Sequence, residues 1–289
     1  MENKIILGSA NFDQKYGISR NFILKSEIKK LFKSAKKNKI TTVDTSPSYN
    51  KSEKIIGSLN EKNFKIISKT FVVPKNLERK KIKSWMKKKS IISLKNLKIK
   101  KFECLLIHDA NSLLGKNGNE IYEGIKEIKK SKLTNKIGVS IYDFYILGKI
   151  LKKFKFDTIQ APYNILDQRL VKTGWLKKLK RKKIEIHVRS IFLQGILLLK
   201  PNQLPNKLKK LKKSWFIWEQ WLKRNKFNPM QVCMSFVFQQ RQINGFVVGF
   251  NNVNQLNQIL KFRRLKNNFS IPNLGINNKN LIDPRKWNK

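Results

Sequence analysis

Eight short apolar runs, each followed by a stretch of helical periodicity, constrain this chain more than any other feature. The runs are Ile5–Leu7, Thr42–Asp44, Phe64–Lys69, Cys104–His108, Lys136–Ser140, Thr158–Ala161, Glu185–Ser190 and Gly245–Val248. Between the first two, Ser26–Lys39 sets Ile28, Leu31, Phe32 and Ala35 three and four residues apart with lysines between them. That is the spacing of a helix with one buried face. Further helices are expected over Ser52–Leu59, Asn76–Leu97, Asn119–Ser131, Phe144–Phe154, Arg169–Leu179, Lys207–Arg224, Met230–Gln240 and Val253–Phe262. Strands that alternate with helices pair in parallel, because a helical crossover returns the chain to the same end of the sheet. Eight such units, with no long linker or low-complexity break, predict one α/β domain over residues 1–289, closed as a (β/α)8 TIM barrel. The rival is an open doubly wound sheet. It usually has fewer strands and needs a Gly-rich turn after the first, and Gly8-Ser9-Ala10-Asn11-Phe12 is not GxGxxG.

Composition narrows the class. At 40% hydrophobic and 28% charged residues the chain is ordinary for a globular protein. No apolar run is long enough to span a bilayer, and the first residues turn polar too early for a signal peptide. Cys104 and Cys233 lie far apart in apolar segments, so they read as small buried hydrophobes rather than a disulfide or a metal site. A cytoplasmic protein without a metal, and as a monomer or weak homodimer, is the expectation. The net charge of +46 would permit nucleic-acid binding. The lysines, however, spread through most helical stretches, as at Lys29-Lys30, Lys87-Lys88-Lys89, Lys129-Lys130 and Lys209-Lys210, instead of gathering on one element. Compositional drift is the better reading, and nucleic acid is not expected as a partner. A general positive field still attracts anionic ligands such as nucleotides.

Four residues stand at or just beyond successive strand ends: Asp44, Tyr49, Lys69 and His108. In a barrel those ends converge on one mouth, the face that carries catalytic groups. A phenol with a pKa near ~10 is a poor acid at neutral pH. A neighbouring ammonium lowers that value, and a carboxylate keeps the ammonium charged and aimed. An imidazole can hydrogen-bond the oxygen that the phenol protonates. Such a set suits reduction of a carbonyl by hydride. Singly, each residue has a bland role as cap, solvated lysine, core histidine or loop aromatic; their common placement favours chemistry.

At these residues the sequence resembles the aldo-keto reductase superfamily. The likeness runs through Leu7–Phe12, Asp44–Glu53, Ile137–Ser140, Ile159–Asn164 and Val247–Gly249. It implies NADP or NAD bound without a Rossmann fold, with Asp44, Tyr49, Lys69 and His108 as the catalytic set. It further implies that Ser140 and Gln160 hold the carboxamide, and that Arg189, with Ser190 beside it, replaces the tyrosine that commonly stacks on the nicotinamide. The diphosphate would lie near Gly249, Asn251 and Asn252, where free N–H groups at a helix start favour anions and Asn252 can cap. Gly249 and Gln255 stand where members that prefer NADP often carry Lys or Arg, and Ile259 replaces an adenine-contacting asparagine, so the preference stays open. Ile141 replaces a common carboxamide-binding asparagine, and no N-terminal hairpin precedes the first strand. His187–Gly195 is similar to bacterial members found with surface-sugar biosynthesis, which implies a sugar-derived carbonyl.

Phe12, Tyr16, Phe71, Asn111 and Phe192 are candidates for a substrate pocket. Trp215, Trp218 and Trp221 share a helical face and are expected to pack in the core. Reduction of an aldehyde, ketone or sugar leads. The alternatives are NAD-dependent oxidation of a sugar hydroxyl, or a cofactor-binding regulatory or nucleic-acid-binding barrel without turnover.

Overall fold

The computed structural model describes residues 4–13, 17, 23–61, 63–262, 270–276 and 278–287. In chain order the elements are β1 (Ile5–Gly8), α1 (Lys25–Lys37), β2 (Thr42–Asp44), α2 (Ser52–Ser58), β3 (Lys65–Lys69), α3 (Ile82–Leu97), β4 (Phe102–Ile107), α4 (Gly118–Lys130), β5 (Thr134–Ser140) and α5 (Phe144–Lys153). There follow β6 (Thr158–Pro162), α6 (Arg169–Lys172), α7 (Trp175–Arg181), β7 (Glu185–Arg189), α8 (Lys212–Asn225), α9 (Pro229–Phe238), β8 (Gly245–Gly249), α10 (Val253–Phe262) and α11 (Lys279–Ile282). The eight strands pair in sequence order, all in parallel, and β1 closes on β8 through Ile5↔Phe246 to Gly8↔Gly249. The expected (β/α)8 barrel is therefore the fold. No helix among the described residues is long and apolar enough to cross a membrane.

Two apolar cores hold it. The larger lies between sheet and helices and takes the expected face of α1, with Ile28, Leu31, Phe32 and Ala35 all fully buried. The smaller fills the middle of the barrel with Ile6, Ile67, Cys104 and Leu106, against Val247. Strand alternation puts every second residue inside. Following it upward from this plug leads to Asp44, Lys69, Ser140, Gln160 and Arg189; following it downward leads to Lys65, Lys136, Glu185 and His187. The barrel interior is thus apolar only at its waist. Gly138 makes the waist possible: a Cβ there would stand 2.3 Å from the Thr158 carbonyl oxygen and 2.6 Å from Leu106 Cδ2.

Several boundaries differ from the sequence reading. The helix expected over Arg169–Leu179 breaks at Gly174, whose φ of +75° lies in the left-handed region. The stretch from Lys207 opens as a 3-10 segment, Asn206–Leu211, before α8 begins. Arg79–Lys81 likewise forms a 3-10 turn ahead of α3. Trp215 and Trp218 are buried, and Trp221 stacks on Trp218 with centroids 5.7 Å apart, so this face packs as expected. Cys104 and Cys233 are free and buried, and burial pushes the Cys104 thiol up to about 12.

Candidate active site

The strand ends at the top of the barrel surround a cleft that brings Asp44, Tyr49, Lys69 and His108 together. Ser140, Arg189, Ser190, Gly249, Asn251 and Gln255 line the same cleft.

Lys69 ends β3 and points up the barrel axis. Its Nζ donates to Asp44 Oδ1 at 2.7 Å and to the Thr45 carbonyl at 2.8 Å. The side chains are 1% and 4% exposed, so water contributes almost nothing to either charge. Burial alone would drive the ammonium toward neutrality; Asp44 and the Tyr49 phenol outweigh it and raise the Lys69 pKa above the ordinary lysine value. Asp44 spends its other oxygen on Gln160, whose Nε2 donates to Oδ2 at 2.7 Å. The carboxylate is thereby held on both sides.

Tyr49 follows in the turn after β2, where its backbone N–H donates to the Ser46 carbonyl at 3.0 Å. Lys69 Nζ stands 5.0 Å from its ring centroid. The ammonium does pull the phenol pKa down as expected, but it does not set the net direction. Burial dominates and, helped by Asp44, raises it, although Lys69 and Arg189 pull the other way. The phenol is therefore protonated at neutral pH. An acid needs that state, and an alkoxide is a strong enough base to take the proton.

His108 lies just past β4, edge-on to Tyr49 with centroids 6.4 Å apart. Burial, reinforced by Lys69 and Arg189, lowers its pKa to about 4. Its Nδ1 is 3.4 Å from Ser46 Oγ and 3.4 Å from Ser48 Oγ. We assign those hydroxyls as donors to Nδ1, which leaves the proton of the neutral ring on Nε2, free to donate to a carbonyl oxygen.

On the opposite wall, the loop after β7 is unusual. Ser190, Leu193, Gln194 and Gly195 have φ of 61°, 46°, 55° and 93°. Three non-glycine residues in the left-handed region within five positions mark a backbone held against its preference by its surroundings. Ser190, Phe192, Gln194 and Gly195 all face the cleft. Asn164 Nδ2 pins the loop by donating to the Ser190 carbonyl at 2.9 Å.

At the far end, two of the N–H groups expected to be free at the start of α10 are taken, and so is that of Asn251 just before it. Asn251 N donates to Gln255 Oε1 at 2.8 Å, Gln255 N to Asn252 Oδ1 at 2.9 Å, and Val253 N to the Glu27 carboxylate at 2.8 Å. Asn252 does cap the helix, but a carboxylate occupies part of the place read as an anion site. Asn252 and Gln160 do not line the cleft; Gln160 is completely buried behind Asp44. Of the substrate candidates, Phe192 lines it, whereas Phe12 packs on Phe32 and Phe71 on Trp85. Asn111 lies outside the lining too, in the turn that Asp109 caps, and Tyr16 is outside the described residues.

The sequence reading missed Asn11, Met230, Leu198 and Tyr142, which also line the cleft. Only Tyr142 left a trace, two residues past a strand-end serine. The residues fit a nicotinamide dinucleotide. A Cβ on Gly249 would meet nothing nearer than 4.0 Å, so the wall is smooth there, and the neighbouring Asn11 Oδ1 is a buried acceptor without a partner among the described residues. Ser140 and Ser190 supply further hydroxyls.

Comparison with known proteins agrees. The sequence model of the Aldo/keto reductase family matches residues 4–270. A Pseudomonas aeruginosa structure assigned to the aldo-keto reductases is 18% identical, with 90% of this chain and 89% of that chain covered at a TM-score of 0.65. An aldo-keto reductase from Bacillus halodurans, solved in its holo form, is 14% identical, with 94% and 89% covered at a TM-score of 0.72. These likenesses show a shared fold. No curated protein matches the chain in sequence.

Proposed function

Because this chain belongs to the aldo/keto reductase family, whose members are NAD(P)-dependent oxidoreductases acting on carbonyls, we propose that it reduces an aldehyde, ketone or sugar-derived carbonyl with Tyr49 as the proton donor. The observation that carries this reading is the buried Lys69–Asp44 pair in the same cleft as Tyr49 and His108. Bound nicotinamide supplies the hydride. His108 Nε2 orients the carbonyl oxygen and polarises it. Tyr49 Oη gives its proton to the oxygen as charge develops there, and the Lys69 ammonium stabilises the phenolate left behind. Asp44 keeps that ammonium charged throughout, and Gln160 keeps Asp44 aimed. Ile191, Phe192, Leu198 and Met230 shed water from the reacting end. A sugar-derived substrate rests on the likeness of His187–Gly195 alone.

Between the two nucleotides we favour NAD. The Glu27 carboxylate at the start of α10, although paired with Lys30 at 3.4 Å, takes up an N–H there that a 2′-phosphate could use, and neither Gly249 nor Gln255 offers that phosphate a cation. The test is Tyr49→Phe, assayed with a panel of aldehydes and sugars and titrated with NADH and NADPH. Turnover should fall on the order of 10²–10⁴-fold while NADH binding persists. Full turnover in that variant would remove Tyr49 from the chemistry.

A further inference from the structure

Arg189 is a cation whose charge has no direct carboxylate partner among the described residues. Its guanidinium stands 3.7 Å from the Tyr142 ring centroid, and that of Arg285 stands 3.5 Å from the same centroid. Two guanidinium groups at such distances cannot share one face, so the ring is sandwiched between them. The two cations are then compensated unequally. Arg285, in the 3-10 turn after α11, forks onto Asp283, with Nε 2.9 Å from Oδ1 and Nη2 2.6 Å from Oδ2. Arg189 donates only to neutral oxygens, Ser190 Oγ at 3.2 Å and the Ile141 carbonyl at 2.8 Å. Among the described residues no carboxylate forms a salt bridge with it. The stack fixes the guanidinium in the wall of the cleft that Tyr49 and His108 also line, and its charge opposes the upward shift of Tyr49 and adds to the downward shift of His108. The other cation there, Lys69, is neutralised by Asp44 at 2.7 Å.

We propose that Arg189 makes this cleft select the reduced form of a nicotinamide dinucleotide over the oxidised form. The inference rests on the reading of the cleft as a nicotinamide site. The two forms share the same diphosphate and riboses, so attraction of Arg189 for the phosphates cancels between them. They differ in the ring, which is cationic when oxidised and neutral when reduced. A ring close enough to pass hydride to a carbonyl at Tyr49 lies within the field that reaches Tyr49. Like charges several ångströms apart at an effective dielectric of ~20–40 change affinity on the order of tenfold. The consequence is a protein that takes reduced nucleotide from a mixed pool and releases the oxidised product readily. That behaviour suits a reductase better than a sugar dehydrogenase.

The experiment measures dissociation constants of NADH, NAD, NADPH and NADP for the full chain by calorimetry, without carbonyl substrate. Wild-type protein should bind the reduced form on the order of tenfold more tightly within each pair. Arg189→Gln should bring that ratio near one, Arg189→Lys should keep most of it, and Arg189→Met is the second neutral variant should the glutamine protein fail to fold. Equal affinity for both redox forms in wild-type protein overturns the proposal without any variant, as does a ratio untouched in a folded neutral variant. Failure of all four nucleotides to bind overturns the nicotinamide reading itself, and this proposal with it.

Discussion

The barrel carries a lysine–carboxylate arrangement at each end, and the two are built differently. At the mouth, Lys69 and Asp44 meet at 2.7 Å with side chains 1% and 4% exposed. At the floor, Lys136 reaches Glu185 at 2.8 Å and Glu103 at 3.2 Å, with side chains 35%, 34% and 22% exposed. Each end also holds one of the two histidines of the chain, His108 above and His187 below. The residue types are alike, so type does not distinguish the end proposed as catalytic from a solvated one. Burial does. The mouth pair is expensive to form because both ions leave water, and Thr45 and Gln160 must complete its hydrogen bonding. The floor network keeps its hydration and costs little.

The sharpest way to break this contrast is to remove one member of the mouth pair. Lys69→Ala leaves Asp44 buried and charged, and should cost about 3–5 kcal/mol of stability together with turnover. Denaturant unfolding and a carbonyl assay check both. A loss within the surface-pair range would show that water reaches the pair. Next in size is the waist between the two ends. Gly138→Ala forces a methyl toward the Thr158 carbonyl and Leu106, and should lower stability by about 1–3 kcal/mol, read as a drop in melting temperature.

The floor should respond far less. Lys136→Met should change stability by about 1 kcal/mol or less and leave turnover intact, since the apolar waist separates it from the cleft. A separate test of the mouth concerns pH. His108 is lowered to about 4, so its imidazole resonances should stay constant as pH falls from about 8 to 5 and move only near 4. The unfolded chain takes up that proton first, near pH ~6.5. The stability that the neutral ring contributes is therefore present above that pH and is lost as pH falls through the window down to about 4. His187 is lowered by burial as well and acts in the same direction.

Much of the architecture was legible. The apolar faces of α1 and α4 and the eight apolar runs depend on local periodicity, and hydrophobic burial turns periodicity directly into packing. All four proposed catalytic residues were found because each sits at a strand end, and closure of the barrel gathers strand ends. What escaped depends on contacts between distant segments. The Glu27 carboxylate reaches the start of α10 from α1 across 226 positions, and nothing near Glu27 marks it. Arg285 reaches Tyr142 from the 3-10 turn at Pro284–Lys286. The left-handed backbone of Ser190, Leu193 and Gln194 has no signature, because only Gly195 among them is a residue that favours it. The sign of the Tyr49 shift was also misjudged, since a neighbouring charge can be guessed from sequence whereas the amount of water removed cannot.

By itself, then, the order of residues determined the barrel, the end at which the proposed chemistry would sit and the four groups gathered there. Those depend on strand and helix periods, which are local. Only the tertiary structure decided which ion pair is dry, which N–H groups of α10 are taken, and that Arg189 faces the cleft with no carboxylate paired to it among the described residues. Desolvation and Coulomb energy depend on distances through space, and these are set only once the barrel has closed.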